Sequence, residues 1–264
     1  MDVGQQIAQY IITGLTIGAI YAIVAMGFNI IHNATGIVNF TQCEFISLGG
    51  MFMYTMVVIF RVPMVISFFV SMGGVTLIGA LIERGPIRYA RSKDRIVLIF
   101  LTIGLSGAIR GAAQQIWGTD NVGVPSFSGE DAIYLPLGAT IVPQHLWIFA
   151  ISLVVMIGLH YFFRKTLLSG ALGAVAGMII APVTTTSYDT GIMLGLKGFA
   201  AAILGGYGNF AGAILGGVIL GLLESLGAGL GASRYKDAIA FMVLLLVLFI
   251  RPTGIMGYGE SKNA

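Results

Sequence analysis

The stretch from Gly198 to Glu224, GFAAAILGGYGNFAGAILGGVILGLLE, constrains the fold more than any other part of the chain, because it is apolar, rich in glycine and ends in a carboxylate. In a bilayer, glycines let helix backbones approach closely, and a plain lipid anchor would not need them. A carboxylate facing lipid would cost roughly 2.5 kcal/mol or more, so Glu224 is expected to face protein or water. The stretch therefore predicts the packed interior of a polytopic transporter or channel. Its predicted helix-packing residues are Gly212, Gly216, Gly217 and Gly221.

Composition places the whole chain in the membrane. Of its 264 residues, 57% are hydrophobic and only 9% are charged, and the mean hydropathy is +0.93. Soluble proteins have about 25% charged residues. A spanning helix needs about 20 residues, so we predict an all-α membrane protein with about eight to nine transmembrane helices, some short or broken, in a single domain over residues 1–264. The apolar runs place spans near residues 7–31, 44–60, 62–82, 96–117, 145–163, 168–182, 191–206, 211–231 and 238–250.

The basic residues predict how the chain is oriented. The loop ERGPIRYARSKDR, residues 83–95, is rich in Lys and Arg, and the positive-inside rule assigns it to the cytoplasm. Alternation of the spans then places the N-terminus outside and the C-terminus in the cytoplasm. The loop of residues 118–144 contains acidic residues but no Lys or Arg and falls outside. It is the largest predicted outer surface and the expected dock for an outside partner.

Several kinds of chemistry are excluded by the motifs that the sequence lacks. Cys43 is the only cysteine, so an intrachain disulfide and a cysteine-cluster metal site are ruled out. No G-x-x-x-x-G-K-[ST] occurs, and the three histidines have no metal-binding spacing. The basic residues flank apolar runs and do not form a patch with interleaved aromatics, which argues against nucleic acid. We expect no enzyme activity, no metal and no cofactor on this chain.

Polar residues at the start of the second span are candidates for a solute path. The segment VNFTQCEFISLGGMF contains Asn39, Gln42 and Glu44 directly before or inside the span. Polar groups at that depth need partners or water. They indicate either a broken or re-entrant helix start that lines a path, or a helix cap and interface loop. The sequence alone favours neither interpretation.

The two acids inside spans, Glu44 and Glu224, are either path residues or partners of a buried base. Lys197 and Arg110 are the only in-span bases available for such pairing, although Lys197 could instead extend to the interface. For Glu224 the structural role is favoured because its helix is built for close packing. A further pattern, Gly104 to Gly107, spells the GxSG of intramembrane proteases, but a chain with 38 glycines produces it easily. Its serine is more simply a packing residue.

Four blocks carry a family resemblance: GLTIGAIYAIVAMGFNII, IVNFTQCEFISLGG, LGLKGFAAAILGGYGNFAGAILGGVILGLLE and LFIRPTGIMG. Together they closely resemble the LivH-type membrane subunit of branched-chain amino acid ABC importers, over nearly the whole chain. The resemblance implies a permease of the bacterial inner membrane that works by alternating access. The implied partners are a second, related permease, two cytoplasmic ATPases that bind ATP and Mg²⁺, and an extracytoplasmic substrate-binding protein. The alternative from another class is a stand-alone channel or ion-coupled carrier for a small polar solute.

The sequence departs from the family pattern in two places. Where the family usually reads NFAHGE, this chain has NFTQCE from Asn39 to Glu44, which leaves the transported solute open. After the fifth span, the family continues into a cytoplasmic segment that contacts the ATPase, whereas here FFRKTLL passes directly into SGALGAVAGMIIAP. We predict that this coupling segment is absent between Leu168 and Ser169, either lost from the protein or omitted from the sequence. The residues expected to flank it are Arg164, Lys165 and Thr166.

Overall fold

The structure is a computed structural model that describes residues 3–90, 94–129, 131–135, 138–162, 178, 186–229 and 235–257. Within these residues the chain forms eight α-helices and one short antiparallel hairpin. The helices are α1 (Val3–Thr35), α2 (Gln42–Tyr54), α3 (Met64–Ile82), α4 (Arg95–Trp117), α5 (Pro143–Phe162), α6 (Thr190–Gly205), α7 (Phe210–Gly227) and α8 (Lys236–Ile250). The strands are β1 (Ile133–Tyr134) and β2 (Thr140–Ile141).

The helices lie where the apolar runs predict spans, with ends that differ by a few residues. The predicted span 168–182 lies outside the described residues except for Met178. By length and composition, five of the described helices could cross a membrane: α1, α4, α7, and α2 and α3 with their π-helical extensions to Ile59 and Ile87. The apolar helices α5, α6 and α8 are shorter. A mostly helical fold with membrane-spanning helices is confirmed, while the count of eight to nine transmembrane helices stays a prediction.

Local side-chain and backbone chemistry fixes both ends of α4 and the start of α7. Asp94 caps α4 by accepting a hydrogen bond from the Ile96 amide at 3.0 Å. The helix ends at Gly118, whose φ of 79° is a conformation that glycine adopts without strain. Asn209 caps α7 in the same way, with its side chain accepting from the Gly212 amide at 3.0 Å.

The described chain divides into two compact units. The first comprises the described residues of Met1–Asn29, Gly129–Ile157 and Lys197–Ala264, and the second those of Ile30–Ser128 and Gly158–Leu196. The first unit therefore contains α7, and the second contains α2, α3 and α4. The expectation of one permease domain over residues 1–264 stays a prediction.

In the first unit, glycines bring α7 against α1. A Cβ added to Gly18 would lie 2.9 Å from the carbonyl oxygen of Gly217, and one added to Gly14 would lie 2.9 Å from the Cα of Leu222. A Cβ on Gly221 would in turn strike the backbone of Gly14 and Gly18. Backbone atoms cannot yield as a flexible side chain can, so this crossing needs glycine on both helices.

The opposite side of α7 packs against α6 through a second pair of glycines. A Cβ on Gly212 would meet the Gly205 carbonyl, and one on Gly216 would meet the Ala201 carbonyl. The four glycines singled out in the sequence thus face two neighbours, with Gly217 and Gly221 towards α1 and the other two towards α6. α7 is therefore in backbone contact with two helices.

The loop of residues 118–142 contains the hairpin. The strands pair in the register Ile133↔Ile141 and Tyr134↔Thr140. In the first unit, Gln9 of α1 holds the hairpin, because its side chain accepts from the Thr140 amide at 2.9 Å and donates to the Thr140 carbonyl at 3.0 Å. In the second unit, Val122 pairs with Thr186 through two backbone hydrogen bonds of 2.8 Å. Hydrogen bonds to its backbone thus hold parts of this loop in place. Its location outside the membrane stays a prediction.

Candidate functional site

The connection between α1 and α2 runs along α4. Near its start, a Cβ on Gly36 would lie 3.9 Å from the guanidinium of Arg95, the first residue of α4. Near its end, the Phe40 amide donates to the Thr102 hydroxyl at 3.2 Å, and the Thr41 hydroxyl donates to the Thr102 carbonyl at 3.2 Å. At 1.5 Å per residue, Thr102 lies about 10 Å along α4 from Arg95. Hence α2 begins beside a point about one third of the way along α4 and not beside its end.

Whether this connection is a broken or re-entrant helix start or a helix cap and interface loop stays open. Of the three candidate path residues there, Asn39 stabilises the turn, since its side-chain oxygen accepts from the Thr41 amide at 3.0 Å. Gln42 and Glu44, in the first turn of α2, are buried. That these residues line a solute path stays a prediction.

Glu44 lies in a buried polar cluster with two residues of α4. Its Oε1 accepts a hydrogen bond from the Ser106 hydroxyl at 2.7 Å and from Nη2 of Arg110 at 2.8 Å. Ser106 and Arg110 are four residues apart, so both reach the same face of the helix. The Glu44 side chain is 1% exposed and that of Arg110 is 30% exposed. The cluster therefore joins a buried carboxylate to a partly accessible guanidinium.

The bonding of this cluster is incomplete on both sides. Oε2 of Glu44 and Nε of Arg110 are buried and have no hydrogen-bond partner among the described residues. A buried polar atom that lacks a partner is unfavourable, and most such atoms in folded proteins are bonded. The Glu44–Arg110 pair thus retains one acceptor and at least one donor.

Glu224 lies in a second buried cluster, in the first unit. Its Oε1 accepts from the Lys197 ammonium at 2.7 Å, and its Oε2 accepts from the Tyr21 hydroxyl at 2.6 Å. The Lys197 nitrogen also lies 5.8 Å from the centre of the Tyr21 ring, within the range of a cation–π contact. Both oxygens of Glu224 are therefore bonded, and the three residues connect α7, α6 and α1.

Sequence reasoning identified the four charged residues but not their pairing or their neutral partners. Nothing in the sequence decides which acid meets Lys197 and which meets Arg110. Tyr21 was missed, although a phenol inside an apolar span needs a partner for its hydroxyl. Ser106 was treated as a packing residue, and its hydroxyl is bonded to Glu44.

Two other predictions concern the ATPase-coupling flank and metal binding. The ATPase-coupling flank of Arg164, Lys165 and Thr166 lies outside the described residues. Within the part of the chain that the structure describes, no group of three or more His, Cys, Asp or Glu side chains could hold a metal ion. The absence of a metal site on the whole chain stays a prediction.

Comparison with known proteins adds the family. A family model described as the permease component of branched-chain amino acid transport systems matches residues 10–168 and 167–248. The chain belongs to this family. It is 28% identical to the high-affinity branched-chain amino acid transport system permease protein BraD of Pseudomonas aeruginosa, over 97% of each chain. It is 27% identical to the LivH permease proteins of Salmonella typhimurium and of Escherichia coli K12, again over 97% of each chain. No solved structure matches.

These comparisons also bear on the predicted missing segment. The family match divides at Leu167 and Leu168. The alignment with BraD runs over 301 positions while this chain has 264 residues, so at least 37 positions have no counterpart here. Both observations support the prediction that a segment of the family is absent next to Leu168.

Proposed function

We propose that this chain is the membrane-spanning permease subunit of an ATP-driven importer that carries amino acids, most of all branched-chain ones, across the bacterial inner membrane. The observation that carries the proposal is the family match over residues 10–168 and 167–248. It is supported by relatives that align over 97% of both chains and that are named as permease proteins of branched-chain amino acid transport systems. The chain spans the membrane with its N-terminus outside and its C-terminus in the cytoplasm.

The energy for transport comes from other subunits. The sequence contains no phosphate-binding motif of the G-x-x-x-x-G-K-[ST] type, so ATP and Mg²⁺ bind to two cytoplasmic ATPase partners. A second, related permease completes the membrane part, and an extracytoplasmic binding protein delivers the solute. ATP on the partners shifts the permease between two packings, which requires different contacts in each state.

Within the permease, the two buried acids have different roles. Glu44, together with Asn39 and Gln42 at the broken start of α2, belongs to the solute path. Glu224 stabilises the packing of α7, because both of its oxygens are bonded within the first unit. The contrast rests on bonding, since both carboxylates are almost fully buried.

The coupling of ATP hydrolysis to the permease depends on whether the mature protein carries the segment expected beside Leu168. If the mature protein lacks it, the ATPases contact the permease through other surfaces. A digest with trypsin distinguishes the two cases, because the sequence from Thr166 to Lys197 contains no internal Lys or Arg. Detection of the intact 166–197 peptide from native membranes shows that the segment is lost, whereas peptides that interrupt it show that the mature chain carries more residues.

The proposed function is tested by copurification and by uptake. The tagged chain is extracted from native membranes in mild detergent, and copurifying proteins are identified by mass spectrometry. We expect a second permease and ATPase subunits. Uptake of labelled L-leucine, L-isoleucine and L-valine is then measured with ATP depleted or with ion gradients collapsed. Loss of uptake only on ATP depletion agrees with the proposal, whereas recovery of the chain alone together with gradient-driven uptake favours the stand-alone carrier.

A further inference from the structure

We propose that Glu44 and Arg110 form the subsite that receives the charged head of a zwitterionic amino acid. Glu44 accepts from the ammonium group through Oε2, and Arg110 donates to the carboxylate through its free N–H groups. The inference rests on the proposed function and adds Arg110, which sequence reasoning had treated only as a partner for a buried acid.

The first argument is the way the pair is bonded. Oε1 of Glu44 accepts from both Ser106 and Arg110, while Oε2 has no partner among the described residues. An ionised carboxylate has about four lone-pair sites, so the two sites on Oε2 remain for further donors. An ammonium group carries three such donors.

The second argument is the geometry of the guanidinium. Arg110 uses Nη2 for Glu44, at 2.8 Å, and for Ser106, at 3.4 Å. Its Nε has no partner among the described residues, and 30% of the side chain is exposed. A guanidinium presents five donors in a planar fork that fits a carboxylate through two parallel hydrogen bonds. Arg110 can therefore hold Glu44 with one nitrogen and present others to a second carboxylate.

The third argument is that the free acceptor and the free donors belong to one ion pair. In an α-amino acid the ammonium and carboxylate groups are bonded to the same carbon, so they reach neighbouring partners of opposite charge. The cluster also lies beside the start of α2, at the middle of α4. Solute sites in transporters are commonly formed by broken helices near the middle of the bilayer.

The cluster around Glu224 provides an internal comparison. Its carboxylate also meets a base and a hydroxyl, at 2.7 Å and 2.6 Å, but each of its oxygens receives one of these bonds. Neither oxygen of Glu224 is without a hydrogen bond, in contrast to Oε2 of Glu44. Of these two buried ion pairs, only the Glu44–Arg110 pair has a carboxylate oxygen and a guanidinium nitrogen that are buried and unbonded among the described residues.

A pair of neutralising substitutions separates a binding role from a structural one. The variant Glu44→Gln/Arg110→Gln removes both charges together, so no unpaired charge is buried and a purely structural pair tolerates the change. Complete transporters with this variant are placed in lipid vesicles with the binding protein, and assembly, ATP hydrolysis and uptake of labelled L-leucine are measured. We expect assembly near wild type and uptake at least tenfold lower. Uptake within twofold of wild type would overturn the inference.

A conservative variant covers the case in which the double variant fails to assemble. Arg110→Lys keeps the positive charge and the ion pair with Glu44 but removes the planar fork. We expect an assembled transporter whose leucine uptake per ATP hydrolysed falls at least fivefold, and an unchanged ratio would contradict the carboxylate role. The proposed function fails separately, since in that case the wild-type transporter itself shows no ATP-dependent uptake of branched-chain amino acids.

Discussion

Replacing Glu224 by leucine is expected to damage assembly severely. The change leaves the ammonium of Lys197, a side chain that is 9% exposed, without its carboxylate partner, and it removes the acceptor of the Tyr21 hydroxyl. Loss of one partner from a buried ion pair costs about 3–5 kcal/mol, and a lost neutral hydrogen bond adds about 1 kcal/mol. Allowing for some movement of the lysine towards water, we expect about 4 kcal/mol, which is about 1000-fold in the equilibrium between packed and unpacked helices.

The assay compares three variants of the full transporter. The yield of assembled complex and its half-aggregation temperature in detergent are measured for Glu224→Leu, Glu224→Leu/Lys197→Met and Glu44→Gln. The double variant should recover most of the loss, because an apolar pair of similar volume often replaces a buried ion pair without cost. Glu44→Gln should assemble better than Glu224→Leu, since its amide oxygen still accepts from Ser106 and Arg110. A Glu224→Leu complex as stable as wild type, or a double variant no better than the single one, would refute the reasoning.

Three further predictions follow from named contacts. Glu44→Gln should lower amino acid uptake at least tenfold at normal assembly, and wild-type uptake would remove Glu44 from the solute path. Gly221→Ala should destabilise the α1–α7 contact by about 1–3 kcal/mol, because its methyl group strikes backbone. In the matched control Gly104→Ala, no described atom lies within 4 Å of the added methyl group, so the half-aggregation temperature should stay unchanged or rise; equal losses in the two variants would contradict the packing argument. Asn209→Ala removes the α7 cap and a bond to the Met256 carbonyl and should cost about 1 kcal/mol, seen as a lower half-aggregation temperature.

Helix positions were predictable because the bilayer imposes a length and a polarity on each span. The apolar runs located α4 and α7 to within a few residues, and the cap residues Asp94 and Asn209 lie just before them. The close-packing glycines of α7 were predictable for the same reason, since glycine is unfavourable in a helix unless it contacts a neighbour. These signals are local in sequence and need no knowledge of the tertiary arrangement.

The pairing of the buried charges was not predictable, because it depends on which helices meet. Glu224 pairs with Lys197, 27 residues away, and Glu44 with Arg110, 66 residues away. Either acid with either base satisfies the same local rules. The point along α4 at which α2 begins was also not predictable, because it is fixed by hydrogen bonds to Thr102 and not by any sequence pattern around Gln42.

The distribution of glycines gives a physical reason why the two carboxylates differ. Around Glu224, backbone contacts at glycines bring α7 close to α1 and α6, and each carboxylate oxygen is bonded within the protein. Glu44 lies on α2 next to Cys43, which Gly191 and Gly195 of α6 contact closely, but its carboxylate faces α4, where an added Cβ at Gly104, Gly107 or Gly111 would meet no described atom within 4 Å. A buried ion pair with that freedom can keep an unbonded acceptor and donor for a solute. The proposed division of roles therefore assigns the structural part to the acid whose helix is in backbone contact on two sides, and the transport part to the acid of α2 that faces α4.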